Sequence, residues 1–215
     1  ENILRLRWLQ RRPHHPRMEE LSILRTARYR NGRFEVEGTA CTPGTGDVDA
    51  DLATAWATSG SVYDRFHRTD RLSRLVLLCA GALLNGLPDD DDLHERTGIL
   101  LTGGKGSLDS DMRHHQGLQQ GQVSPGTFVY TLPNIALGEM TIRHKLFGPG
   151  MCLQSANPDL DRMRDLCRWM LGVDGMRRVV CGRADIFADE VSATFLLVGS
   201  GGRPWNTDEL NALHR

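Results

Sequence analysis

The stretch SPGTFVYTLPNIALGEMTIRHKLFGPGMCLQSANPDL, Ser124 to Leu160, decides the fold. Ser124-Pro125 can open a helical turn, because serine caps a helix and proline suits its first position. Pro133 and Asn134 precede a second helix carrying Ile135, Leu137, Met140, Thr141 and Leu146. Gly138 inside that helix predicts close packing against another backbone. "MCLQSA" then reads as a short buried strand. A helix follows at once, from Pro158 to Leu171, burying Leu160, Met163, Leu166, Cys167, Met170 and Leu171, with Asn157 as N-cap and Pro158 at N1. A sharp strand-to-helix turn of this kind presents free backbone N–H groups, and many enzymes place a nucleophile there. Here the exposed position is Asn157, an amide.

Upstream, Asn31-Gly32 lies between runs containing Ile23, Leu24, Tyr29, Phe34 and Val36, a type I′ hairpin signal. A helix capped by Asp47 or Asp49 buries Leu52, Ala55 and Trp56. Thr69 or Asp70 opens the clearest helix, with Leu72, Leu75, Val76, Cys79 and Leu83 at helical spacing and Asn85-Gly86 at its end. Asp89 to Asp92 reads as a solvated loop. "RTGILLTGGKGS" is a buried strand running into a glycine-rich turn. It fails the Walker pattern, since Gly106 follows Lys105, and it fails the dinucleotide pattern at Asp109. Downstream, "RRVVCGRADI" and "SATFLLVGS" are strands, and a short helix begins near Thr207. The segment before Pro13 and Pro16 reads as a short helix or strand. Strands alternating with helices give an α/β class, a mixed sheet with helices on its faces.

The 215 residues, 40% hydrophobic and 25% charged, suffice for a packed core, and with no repeat or linker we read them as one domain. A net charge of −1 gives no global reason to expect nucleic acid or an anionic membrane. Five dispersed cysteines without CxxC spacing fit a reducing, cytoplasmic setting, and no apolar run reaches membrane-spanning length. Glu1 is not an initiator residue, so we expect further N-terminal sequence. Neither the eight histidines nor the cysteines carry metal-ligand spacing, and we expect neither metal nor cofactor. Ser155 is two places before the joint, where a turn or capping role fits better than a nucleophile. Cys152 sits mid-strand among apolar residues, the setting of an inert thiol.

Ser124 to Pro149 resembles the β-ketoacyl synthases of the thiolase superfamily, which carry P-x-x-F-V-x-x-x-P-N-x-x-x-G, then I-R, then G-P before the active-site strand. "YDRFHRTDRLSRLVLLCAGALL", "GILLTGGKGSLDS" and "GVDGMRRVVCGRADI" resemble that family's flanking segments in order, so the likeness runs from Tyr63 to Val198. Residues 1–60 match poorly and look remodelled. The resemblance implies a truncated thiolase-like fold, the N-terminal half of a ketosynthase. It places the family's reactive cysteine nine residues after the glycine of G-P, which is Asn157. Acyl transfer through that position is blocked, since an amide is no thiolate. The family's catalytic histidines and lysine lie in the second half, absent here.

The chain is therefore similar to the small chain-length-factor-like subunits of type II polyketide systems, especially those making aryl polyene pigments, and to fatty-acid-like synthases in chemistry. The resemblance implies a non-catalytic partner that stabilises a full-length ketosynthase in a heterodimer, shapes its acyl tunnel, and meets acyl carrier protein through it. Such a half should expose an apolar face. It implies an interface at Met151, Cys152, Leu153, Gln154 and Ser155, paired antiparallel with the partner. Phe128, Tyr130, Leu132, Ile135, Leu137 and Met140 become tunnel or interface candidates, with ordinary core packing as the other role open to each. Two alternatives remain: a malonyl-carrier-protein decarboxylase using Asn157 to hold an enolate, and a stand-alone binding module. An arginine-rich surface from Arg5 to Arg33 could meet an acidic carrier protein or simply be solvated.

Overall fold

The computed structural model describes residues 21–214. The expected element before Pro13, and the arginines at its start, lie outside the described residues. Two tight turns build the first three strands. Asn31 and Gly32, at φ 47° and 81°, join β1 (Ser22–Arg30) to β2 (Arg33–Val36), the paired positive φ of a type I′ turn. Glu37 and Gly38, at φ 50° and 73°, turn the chain again into β3 (Thr39–Thr42).

Aspartates open the helices, because a side-chain oxygen satisfies a free N–H of the first turn. Asp47 accepts from Ala50 N at 3.0 Å and starts α1 (Val48–Thr58). Asp70 accepts from Ser73 N at 3.0 Å and starts α2 (Arg71–Leu84). The Asp89–Asp92 run is not merely a solvated loop. Asp90 caps α3 (Asp91–Glu95) through Leu93 N, and Asp92 reaches Arg178 at 2.6 Å and Arg177 at 3.2 Å. The run thus ties α3 to the start of a distant strand. After β4 (Thr97–Gly103) come α4 (Leu108–Gln119), α5 (Pro125–Val129), capped by Ser124, and α6 (Asn134–His144). Then follow β5 (Gly150–Gln154), α7 (Leu160–Gly172), β6 (Arg178–Phe187), β7 (Glu190–Gly199), β8 (Arg203–Pro204) and α8 (Thr207–His214).

One mixed sheet of order β3-β2-β1-β7-β6-β4-β5 collects the strands, with β8 beside β1. β5, β4 and β6 are parallel, and β7 runs against both β6 and β1. The carboxyl ends of β1, β4, β5 and β6 therefore share one edge of the molecule. Alternation along the strands feeds two cores. Ile99, Leu101, Val180, Phe195 and Leu197 pack under α1, α2 and α6. Leu100, Val179, Cys181, Leu196 and Val198 pack under α7 and α8. Gly182 faces Phe195 across β6 and β7, where a Cβ would lie 2.5 Å from the ring.

Four expectations need correction. Gly138 meets nothing within 4 Å of where a Cβ would stand, so it is no packing glycine; the close approach belongs to Gly150, where a Cβ would lie 3.1 Å from the Leu137 side chain. The strand at 150–154 is an edge strand, half-buried at its centre and exposed at both ends, because β4 is its sole sheet neighbour among the described residues. The following helix starts at Leu160, with Asp159 rather than Asn157 as its cap, accepting from Arg162 N at 2.9 Å. Among the described residues helices cover both faces of the sheet, so the exposed apolar surface expected of a half-fold does not lie on the sheet itself. The outer surface of α7 carries an ion-pair ladder, Arg164–Asp161 at 3.0 Å and Arg168–Asp165 at 3.6 Å, which water solvates. Exposed apolar side chains gather instead on α4, α5 and α6 and their connections.

His144, near the end of α6, is largely buried with its Nε2 atom unpartnered. Burial, reinforced by the Arg143 charge, pushes its pKa down to about 4. A histidine lowered in the folded state stabilises fully above the unfolded value near 6.5, and that contribution fades as pH falls toward 4. We expect about 2–3 kcal/mol of stability to be lost between pH 6.5 and 4. Urea midpoints of His144→Leu should lack that slope; an unchanged slope would show that another group carries it.

Candidate functional site

The turn after β5 is held from two sides. Ser155 N donates to Gly103 O at 2.8 Å, extending the β4–β5 ladder by one residue. Arg183, on β6, donates from Nη1 to Ser155 O at 2.9 Å and from Nη2 to Ala156 O at 3.1 Å. Its Nε pairs with Asp185 Oδ2 at 2.8 Å. Residues two apart on a strand share a face, so Arg183 and Asp185 act on the same neighbours. Asp185 Oδ1 accepts from Gly104 N at 2.6 Å and Lys105 N at 2.7 Å. One Arg-x-Asp unit thereby clamps the glycine-rich turn and the strand-to-helix turn together. A Cβ on Gly104 would sit 2.5 Å from Arg183 Nη2 and 3.1 Å from Ala156 O, so a larger residue there would push the Arg183 guanidinium out of its grip on the turn.

Asn157 stands exposed on this clamped turn, and its carbonyl accepts from Ser155 Oγ at 2.8 Å. The Ser155 hydroxyl is thus spent on the turn. A cleft of about 360 Å³ opens beside Asn157, lined by Ser155, Asp159, Asp161, Thr207 and Asn211 among others. Among the described residues none that lines it is histidine, lysine or arginine. The positive end of α7 faces its own cap, Asp159, with Asp161 in the first turn. Two carboxylates beside the turn oppose a developing oxyanion rather than stabilise it. Cys152 is half-buried against the α2–α6 core, and burial raises its thiol pKa, which leaves it a poor nucleophile. Among the described residues no three His, Cys, Asp or Glu side chains converge as metal ligands, and no helix is long and apolar enough to cross a membrane.

The residues named as tunnel or interface candidates separate into distinct environments. Phe128 and Leu132 are 62% and 58% exposed. Met140 is fully buried and takes the packing role. Ile135 and Leu137 are half-buried, and Leu137 presses on Gly150. Met151 and Leu153 are half-buried toward α7, while Gln154 and Ser155 are exposed. Tyr130 joins a polar knot: its hydroxyl donates to Glu139 Oε1 at 3.2 Å, Tyr63 donates to Oε2 at 2.6 Å, and Arg65 Nη2 pairs at 2.9 Å. Glu139 is buried on α6, and these partners make its burial tolerable. Burial and that carboxylate push Tyr63 up to about 12. Neither motif nor periodicity singles out Glu139, Arg183 or Asp159. The Arg-x-Asp spacing on one strand, next to a Gly-Gly turn, was the available signal for the clamp.

No family model and no curated protein sequence matches the chain. Solved structures do. The ishigamide ketosynthase/chain length factor matches with a TM-score of 0.60 at 18% identity, covering 86% of this chain and 64% of that one. A ketosynthase in complex with its chain length factor from Xenorhabdus doucetiae gives 0.59 at 18%, covering 91% of this chain and 90% of that one. A type II polyketide acyl-carrier protein in complex with its ketosynthase bound to the hexaketide gives 0.54 at 11%, covering 84% and 63%. The fold is accordingly the thiolase-like α/β fold of ketosynthases and chain length factors. The chain spans a little under two thirds of the first of these neighbours and nearly all of the second.

Proposed function

We propose that this chain is a non-catalytic, chain-length-factor-like subunit. It docks on a full-length β-ketoacyl synthase, stabilises it and shapes its acyl tunnel, in polyketide synthesis of the aryl polyene kind or in related fatty-acid-like synthesis. Acyl carrier protein reaches it through the ketosynthase. The carrying observation is the turn after β5: a nucleophile pedestal kept in form, bearing an exposed amide flanked by carboxylates instead of a thiol with histidines. The half-buried edge strand β5 and the exposed apolar residues of α4 to α6 support a partner on that side. The similar length of a neighbour taken from a ketosynthase–chain length factor complex supports the same reading.

Light scattering on the chain alone and co-expressed with a ketosynthase encoded beside it tests the proposal. We expect a tight one-to-one complex and poor solubility alone. A well-behaved monomer or homodimer that ignores the ketosynthase overturns it in favour of a stand-alone module. Turnover of malonyl-carrier protein that disappears in Asn157→Ala would make the chain a decarboxylase instead.

A further inference from the structure

A second cleft, of about 470 Å³, lies at the carboxyl ends of β1, β4 and β6, behind the clamped turn. That edge is where open parallel sheets bind ligands, since loops diverge there and leave a crevice. Arg30, Lys105 and Arg183 line it from three separate elements, with Asn31 and Ser192 as uncharged polar neighbours. A smaller recess beside it adds Arg28. Arg183 is buried, and its charge is cancelled by Asp185. Arg28, Arg30 and Lys105 have no carboxylate within ion-pair distance among the described residues; Lys105 Nζ rests 5.8 Å from the centre of the Phe187 ring. Glu190 is the one acid in the lining not already engaged by Arg183. Two unpaired cations of the cleft, Arg30 and Lys105, joined by Arg28 from the adjoining recess that shares Arg30 and Arg183, thus face one carboxylate, Glu190, in a crevice of small-molecule size.

We infer that this cleft binds a small phosphate monoester. An excess of about two positive charges suits a dianion, and a phosphate monoester carries about −1.5 to −2 at neutral pH. Two arginine forks and an ammonium offer the charged donors that phosphate oxygens accept best. A monocarboxylate would leave one cation unmatched. The lining shares no residue with the β5 edge or with the exposed apolar residues of α4 to α6, so docking and phosphate binding fail independently.

Isothermal titration calorimetry of the full chain with glycerol 3-phosphate, and separately with acetate, tests the inference. We expect saturable one-to-one binding of the phosphate ester, far weaker acetate binding, and tighter phosphate binding at pH 7.5 than at pH 5.5, as the second phosphate proton leaves. Arg30→Gln combined with Lys105→Gln, both exposed positions, should weaken binding about tenfold or more with the thermal midpoint unchanged. Absence of saturable binding, acetate binding as tight as the ester's, or a double variant that binds like the parent each overturns the inference.

Discussion

Phe128→Asp combined with Leu132→Asp is expected to leave the chain folded and to weaken its ketosynthase complex at least a hundredfold. Both side chains stand mostly in solvent in the free chain, so aspartate there costs the fold little. In a docked complex each would transfer an apolar side chain out of water, worth about 1.5–3 kcal/mol apiece. Losing both removes about 3 kcal/mol or more, and each 1.4 kcal/mol is a factor of ten. Stranding two carboxylates in the interface adds to that. Ala53→Asp is the control, exposed on α1 beside β3, at the far end of the sheet from β5. Surface plasmon resonance against the immobilised ketosynthase reads the difference. Equal binding by the double variant and Ala53→Asp would place the partner elsewhere.

Gly148→Ala is expected to cost at least about 3 kcal/mol of folding stability, toward the upper end for overpacking. A Cβ at Gly148 would lie 2.2 Å from the Thr97 carbonyl oxygen and 2.8 Å from its carbon. Both are backbone atoms at the start of β4, and no rotamer change relieves the clash. One residue on, Pro149 O accepts from Ile99 N at 2.9 Å, the first rung of β4–β5 pairing, so displacing Gly148 disturbs the edge strand as well. The comparison is Gly138→Ala, mid-helix in open space. There alanine should stabilise by about 0.5–1 kcal/mol. Urea denaturation of the pair would show two glycines ten residues apart moving in opposite directions; a Gly148→Ala variant as stable as the parent would refute the close approach.

The features legible in the sequence were local ones. Asn31-Gly32, Asp47 and Asp70 announce a turn and two caps because their effect spans two or three residues. The helix α2 declares itself through its apolar residues at helical spacing. By contrast α4 hides, because its Leu108, Met112 and Leu118 are exposed instead of forming a buried stripe. The cap at Asp159 is masked in the sequence because Asn157-Pro158 satisfies the same local rule two residues earlier. The resemblance points to the turn that bears Asn157, and the fold adds what surrounds it. The grip of Arg183 on Ser155 and Ala156 joins positions 27 and 28 residues apart, and Tyr63 meets Glu139 across 76. Contacts of that separation leave no periodic trace. The place of the exposed apolar surface is hidden for a similar reason: the charge ladder of α7 is written at helical spacing, yet only the fold reveals that it points outward while the apolar side chains of α4 to α6 stand in solvent.

The strand order carries a consequence for the chain as it is being made. β1 is among the first described segments to leave the ribosome, yet apart from β2 and the short β8 its sheet neighbour is β7, Glu190–Gly199. Until those residues emerge, β1, β2 and β3 form a hairpin ribbon with one unsealed side, and two or three strands alone are marginal. Closing the sheet late, through contacts of high separation, slows folding and prolongs exposure of that ribbon. A chain ending before Glu190 is therefore expected to leave β1 without its main sheet neighbour and to aggregate instead of folding as a shortened native protein.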